Sequence, residues 1–288
     1  MTRNQQLYAW LLLLPALALL TAFTYMPTFT TIWHSFTGSG MQDNVGFNLD
    51  NYRDLIDDDV FWQVLRNNLI YAAVTVPVSI ILALAMALWV NSKIRGKGAL
   101  RLAYFTPTIL PMISVANIWL FFYTPEIGLF NTILGWFGHK GYNWLGDPSL
   151  SLYSLMLMAI WKEAGFFMIF YLAALQGISP DLYQAAELEG AGRWMRFRRI
   201  TLPLLMPTTL FVLINAFLNA FKLVDHLFIL TKGGPNNASN LLLYYIYENA
   251  FSFFDTAYAS ALTVALLLIL VVIALIQFGV IERRVHYR

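Results

Sequence analysis

The sequence predicts an all-α, polytopic membrane protein with six transmembrane helices and both termini in the cytoplasm, and three observations predict it. Of 288 residues, 59% are hydrophobic and 12% charged, against about 45–50% and about 25% in an ordinary soluble domain. The mean hydropathy is +0.61. One compact core of this length cannot hide so much apolar surface from water, so lipid is the solvent for much of it. Second, six stretches each hold the roughly 20 mostly apolar residues that cross about 30 Å of hydrocarbon. Third, Lys and Arg gather in alternate loops.

The spans fall at about 7–33, 68–90, 102–123, 152–175, 204–230 and 259–281, in a single transmembrane domain over 1–288. The first follows Arg3, as a secretory signal would, but its apolar run extends well past a cleavable signal's hydrophobic region. After span two come Lys93, Arg95, Lys97 and Arg101; after span four, Arg193, Arg196, Arg198 and Arg199; after span six, Arg283, Arg284 and Arg288. The opposite loops carry Arg53, Arg66, Lys140 and Lys232 beside Asp43, Asp50, Asp54, Asp57, Asp58 and Asp59. Basic loops stay cytoplasmic, which leaves three loops outside. In the second of these, Phe130, Ile133, Leu134 and Phe137 recur at helical spacing near Trp136 and Trp144, as in a short helix lying in the outer interface. Leu243, Ile246, Tyr247 and Ala250 repeat the spacing in the third. Packing and anchoring account for both, and an outer surface this structured also offers a seat for another protein.

Several chemistries are excluded. There is no cysteine, so no disulfide, thiolate metal site or Cys nucleophile. No GxxxxGK[ST], HExxH or GxSxG motif occurs, and nucleotide hydrolysis has no place to sit. His34, His139, His226 and His286 stand at unrelated spacings and read as boundary or packing residues, not metal ligands. A net charge of +2, with the basic residues tied to loops, gives no nucleic-acid face. The chain therefore reads as neither an enzyme nor a holder of a cofactor.

The segment 179–203 reads as helix, break, helix. Ser179 suits an N-cap, Pro180 the first helical position, and Asp181 the positive end of the dipole; Gly190 or Gly192 can take the positive φ that ends a helix. Leu182, Ala185, Ala186 and Glu189 share a face whose two alanines let another backbone come close. Beyond the break, Trp194, Phe197 and Ile200 can lie on the membrane while Arg193, Arg196 and Arg199 reach headgroups. From spacing alone, a docking knob and a well-capped topogenic loop both fit.

The stretch Gln184-Ala185-Ala186-Glu187-Leu188-Glu189-Gly190-Ala191, with Ile200-Thr201-Leu202-Pro203 after it, resembles the EAA loop of ABC importer permeases. The chain is similar to the sugar-permease family that includes the maltose and glycerol-3-phosphate importers. Further landmarks in family order are Asn51-Tyr52, Arg66-Asn67, Ile160-Trp161-Lys162, Leu175-Gln176, Thr231-Lys232-Gly233-Gly234-Pro235 and Tyr245-Ile246-Tyr247. The closing 280–285 resembles the first member of the usual permease pair. The resemblance implies the type I ABC importer permease fold in the inner membrane. It also implies a second, homologous permease, two cytoplasmic ATPase subunits that bind ATP and Mg, and a periplasmic or lipid-anchored substrate-binding protein. In the family the EAA loop docks in a cleft of the ATPase, which assigns that role here to Gln184, Ala185, Ala186, Glu187, Glu189, Gly190 and Ala191. The family's leading Glu is Gln184 here, so its ion pairing is expected to pass to Glu187 and Glu189 or to the partner permease.

In span five, Asn215, Asn219, Lys222 and His226 form one stripe at about 100° per residue, with Asp225 at its edge. Lys162 and Glu163 lie near the middle of span four, where an unpaired charge costs about 2.5–3.5 kcal/mol on insertion scales. Two readings stay open. Asn215, Asn219, Lys222, Asp225 and Glu163 line a translocation path in which hydroxyl-rich solutes exchange hydrogen bonds with Asn. Alternatively they join helices, with Glu163 bridging to Lys222. The expected function is import of a sugar, glycoside or polyol phosphate by ATP-driven alternating access. A stand-alone secondary transporter is the alternative, but no inverted repeat supports it.

Overall fold

A computed structural model describes residues 3–37, 46–92 and 96–281. Asp43, Lys93, Arg95 and 282–288, used above for orientation and resemblance, lie outside the described residues. All regular structure among the described residues is helical. In chain order it runs α1 (Arg3–Leu20), a π-turn (Thr21–Tyr25), α2 (Met26–His34), α3 (Asp50–Asp57), α4 (Asp59–Asn91), α5 (Lys97–Ile109), α6 (Met112–Phe122), α7 (Leu129–Trp136), α8 (Ser151–Gln176) and α9 (Pro180–Leu188). There follow α10 (Arg193–Arg196), a π-turn (Phe197–Thr201), α11 (Leu202–Leu204), α12 (Met206–Lys222), α13 (Asp225–Leu230), α14 (Leu242–Tyr247), a π-turn (Glu248–Ser252) and α15 (Thr256–Ile281).

Among the described residues, five stretches are long and apolar enough to cross a membrane: Tyr8–His34, Asp59–Asn91, Ser151–Gln176, Met206–Leu230 and Thr256–Gln277. The sixth expected span, 102–123, is not one straight helix. It is the pair α5 and α6, bent by 102° between them. Pro111 is the cause: it has no N–H to give the carbonyl of Pro107 four residues back, and Leu110 leaves the helix at ψ 136°. The expected span 204–230 is also interrupted, because Leu223 turns extended at ψ 99° and separates α12 from α13. The helix expected around Phe130 forms as α7, although Phe137 caps it instead of continuing its half-buried apolar face. Asn131, on the polar side of that pattern, is the buried residue of α7: its side chain binds the carbonyls of Pro125 and Tyr142 and accepts from the Tyr142 N–H and Trp144 Nε1.

Two compact units divide the chain. The first comprises Met1–Phe61 with Ile246–Leu268. Here Asn51 donates to the carbonyls of Ser35 and Thr37 at 3.0 and 2.9 Å, Tyr52 shares a hydrogen with Ser35 at 2.7 Å, and Tyr258 donates to Asp58 at 2.6 Å. The first span stands open along its length, with Leu12 81% and Phe23 77% exposed.

The second unit comprises Trp62–Tyr245 with Ile269–Arg288, and α8 is its axis. Leu155, Met156, Met158, Phe167, Met168 and Tyr171 of that helix are all buried. Gly165 lets α5 approach: a Cβ there would sit 2.3 Å from the Tyr104 carbonyl oxygen. On another face Tyr171 donates to Thr209 of α12 at 3.2 Å. Past their breaks, α6 and α13 pack on each other.

Candidate functional site

The segment after α8 is built from its caps inward. Ser179 Oγ accepts from the Asp181 N–H at 3.3 Å, Pro180 takes the first helical position, and α9 runs to Leu188. Gly190, at φ +78°, is the glycine that turns left-handed. Its N–H bonds the Glu187 carbonyl at 3.0 Å and that of Ala191 bonds Ala186 at 2.9 Å, the paired closure of a Schellman motif. No residue of α9 is buried, and Leu188 at its end is 91% exposed. Gln184, Ala185, Glu187 and Glu189 are exposed, with Ala186 and Ala191 half-buried, so the seven docking candidates form one open knob.

Two cross-links tie this knob to the chain that follows. Tyr183 OH shares a hydrogen with Thr201 Oγ1 at 2.9 Å, and Arg196 Nη1 meets Glu187 Oε2 at 3.0 Å. The second differs from the sequence expectation: Arg196 turns back to Glu187 instead of reaching headgroups, and Glu187 is engaged within the chain. An ion pair this open contributes about 0–1 kcal/mol, so it orients the loop more than it stabilises the protein. Glu189, which caps the C-terminus of α9, makes no ion pair among the described residues and keeps its charge for a partner. Trp194, 71% exposed, stacks on Phe197 with ring centroids 5.6 Å apart.

In mid-span the polar residues are sorted differently from the expected stripe. The break at Leu223 separates His226 from Asn215, Asn219 and Lys222. Lys222 and Asp225 are exposed, and Asn215 turns its amide to the Phe211 carbonyl of its own helix at 2.8 Å. The expected bridge from Glu163 to Lys222 is not made. Glu163, 8% exposed, instead takes a hydrogen bond from the Asn219 side chain. Tyr71 shares a hydrogen with His226 Nε2 at 3.2 Å, which makes His226 the packing histidine expected. Among the path candidates, then, Glu163 and Asn219 come together, while Asn215, Lys222 and Asp225 do not join them.

Asn68 and Tyr71 went unrecognised from sequence. One turn apart on α4, they hold both sides of the break in span five. Asn68 donates to the Ala220 carbonyl at the end of α12 at 3.2 Å and accepts from the Leu242 N–H at 3.0 Å, while Tyr71 holds α13 through His226. The available signal is the pair Asn67-Asn68 at the opening of span two, with Tyr71 one turn on.

The binding-protein-dependent transport system inner membrane component family matches residues 75–287. The chain is 32% identical to the sulfoquinovosyl glycerol transport system permease SmoG of Agrobacterium fabrum, over 98% of this chain and 92% of that one. It is 33% identical to the trehalose/maltose transport system permease MalF of Thermococcus litoralis, over 90% and 89%. A bacterial alginate ABC transporter, solved in complex with an alginate pentasaccharide-bound periplasmic protein, superposes with a TM-score of 0.84 at 26% identity, covering 98% of this chain and 95% of that one.

Proposed function

From the premise that this chain belongs to the family of binding-protein-dependent transport system inner membrane components, we propose that it is the permease subunit of an ABC importer for a sugar, glycoside or polyol phosphate. The relatives named for sulfoquinovosyl glycerol and trehalose/maltose support the solute class. The observation that carries the mechanism is the capped, wholly unburied α9. It performs no chemistry. Two separate ATPase subunits hold ATP and Mg, and one of them grips α9 in the cytoplasm, where both termini also lie. A second permease completes the path through the membrane lipid, and a periplasmic or lipid-anchored binding protein delivers solute from outside. Linkage then requires that the coupling free energy be the same whether read from binding protein to ATPase or back. Buried Glu163 and half-buried Asn219 are the pair with which a solute hydroxyl can exchange hydrogen bonds during passage, donating to the carboxylate and accepting from the amide.

Reconstitution in vesicles tests this reading. The complete assembly should take up solute only with ATP and binding protein both present, and binding protein should raise ATP hydrolysis. Uptake by the chain alone, driven by an ion gradient, would assign it to the secondary transporters instead.

Gln184→Glu is expected to change coupled uptake by less than about threefold, under ~1 kcal/mol at roughly tenfold per 1.4 kcal/mol. The position is exposed, and Glu189, at the C-cap of the same helix, already presents a charge. Initial uptake rates normalised to assembled complex check it.

A further inference from the structure

Lys162 lies next to Glu163 on α8 but serves a different helix. Its ammonium donates to the carbonyl of Pro107 at 2.8 Å and to that of Leu110 at 2.6 Å. Both acceptors belong to the end of α5, and each lacks its ordinary helical donor. The Pro107 carbonyl would accept from residue 111, which is Pro and has no N–H. The Leu110 carbonyl belongs to the residue at which the chain leaves the helix, before the Val115 N–H closes on Pro111. Inside a bilayer no water satisfies such groups, and a break is tolerated only where a neighbour does. An ammonium is suited to this: it has three donors, and its charge complements the negative end of the α5 dipole.

One turn further along α8, Gly165 holds α5 at closest approach through Tyr104. Gly165 and Lys162 thus fix α5 up to its last carbonyl, at the point where α6 departs at 102°. Beyond it α6 is held by other contacts: Tyr123 donates to the Ser154 carbonyl at 2.7 Å, Trp119 packs on Trp161 at 5.5 Å, and α6 lies on α13.

We propose that Lys162 is a positioning residue for the outer half of the third span: it supplies the hydrogen bonds that Pro111 and the bend withhold from α5, and so sets the direction in which α6 leaves. Glu163 of the same turn acts on α12 through Asn219, whereas Lys162 acts on α5.

The absence of native cysteine makes a direct test clean. Spin labels are placed at Leu102→Cys and Phe121→Cys, both on exposed side chains, in the assembled complex. The label separation should be single and narrow with Lys162 and with Lys162→Arg, and broadened or shifted with Lys162→Met. Adding Pro111→Ala to Lys162→Met returns an N–H to the Pro107 carbonyl and should narrow it again. The ratio of binding-protein-stimulated to unstimulated ATP hydrolysis should fall about tenfold in Lys162→Met and stay within twofold in Lys162→Arg. This second readout rests on the proposed function; the separation does not. A complex without stimulation before any substitution at 162 sinks that function while the distances still judge Lys162.

An unchanged separation in Lys162→Met overturns the proposal. Should that variant fail to accumulate in the membrane, rescue decides. Accumulation restored by Lys162→Arg and by the added Pro111→Ala supports the assignment, and accumulation restored by neither, or by Lys162→Arg alone, overturns it.

Discussion

Gly190→Val is expected to strip the ATPase subunits from the purified complex and to lower ATP-driven uptake about tenfold or more, while the chain itself accumulates normally. The residue sits at φ +78°, where an L side chain costs about 1–2 kcal/mol and a β-branched one is a genuine outlier. Nothing lies within 4 Å of an added Cβ, so the penalty is conformational and not a clash. Relief comes from unwinding the turn, which releases the carbonyls of Ala186 and Glu187 and frays the end of the knob. Each 1.4 kcal/mol lost at the docking contact is about tenfold in its equilibrium. Gly190→Asn, the other residue that closes helices in this way, should retain most of the activity. Copurification stoichiometry and uptake rate are the measurements. A Gly190→Val chain that keeps its ATPase subunits and transports normally would remove α9 from the docking role.

Gly165→Ala is expected to act on the fold itself. The added Cβ would stand 2.3 Å from the Tyr104 carbonyl oxygen and 3.5 Å from Thr108 Oγ1. The nearer obstacle is backbone, which cannot rotate away, so α5 must move off α8. Overpacking of this kind costs about 1–3 kcal/mol, and a rigid obstacle places it at the upper end. Membrane abundance should fall several-fold and the thermal transition of the solubilised complex should drop by about 5 °C or more. Equal abundance and an equal transition would show that the two helices are not held at this distance.

Hydropathy carried the six spans because a membrane imposes a length on apolar runs, and the caps of α9 were legible because Ser-Pro-Asp and Gly act through their immediate neighbours. The breaks in spans three and five were not. An apolar window averages over a missing hydrogen bond, and proline alone does not mark the place: Pro15, Pro77 and Pro107 lie inside continuous helices while Pro111 ends one. What makes the difference at Pro111 is Lys162, some fifty residues away in sequence, and no local pattern contains it. The same holds at the site. Asn219 and Glu163 were both identified, but their pairing depends on how α12 crosses α8. The partnership of Asn68 and Tyr71 with the far side of the break depends on a helix from another part of the chain. Charge spacing leaves Glu187 free for a partner, whereas the turn at Gly190 folds Arg196 back onto it, and the backbone path of a turn is not written in charge spacing.

The ties from Tyr183 to Thr201 and from Glu187 to Arg196 join the two limbs of the α9 turn on either side of its glycine. A slack hairpin would absorb a push from below by flexing. A braced one gives a displacement at Ala186 a second route, through Tyr183, to Thr201 at the foot of the span that holds Asn219.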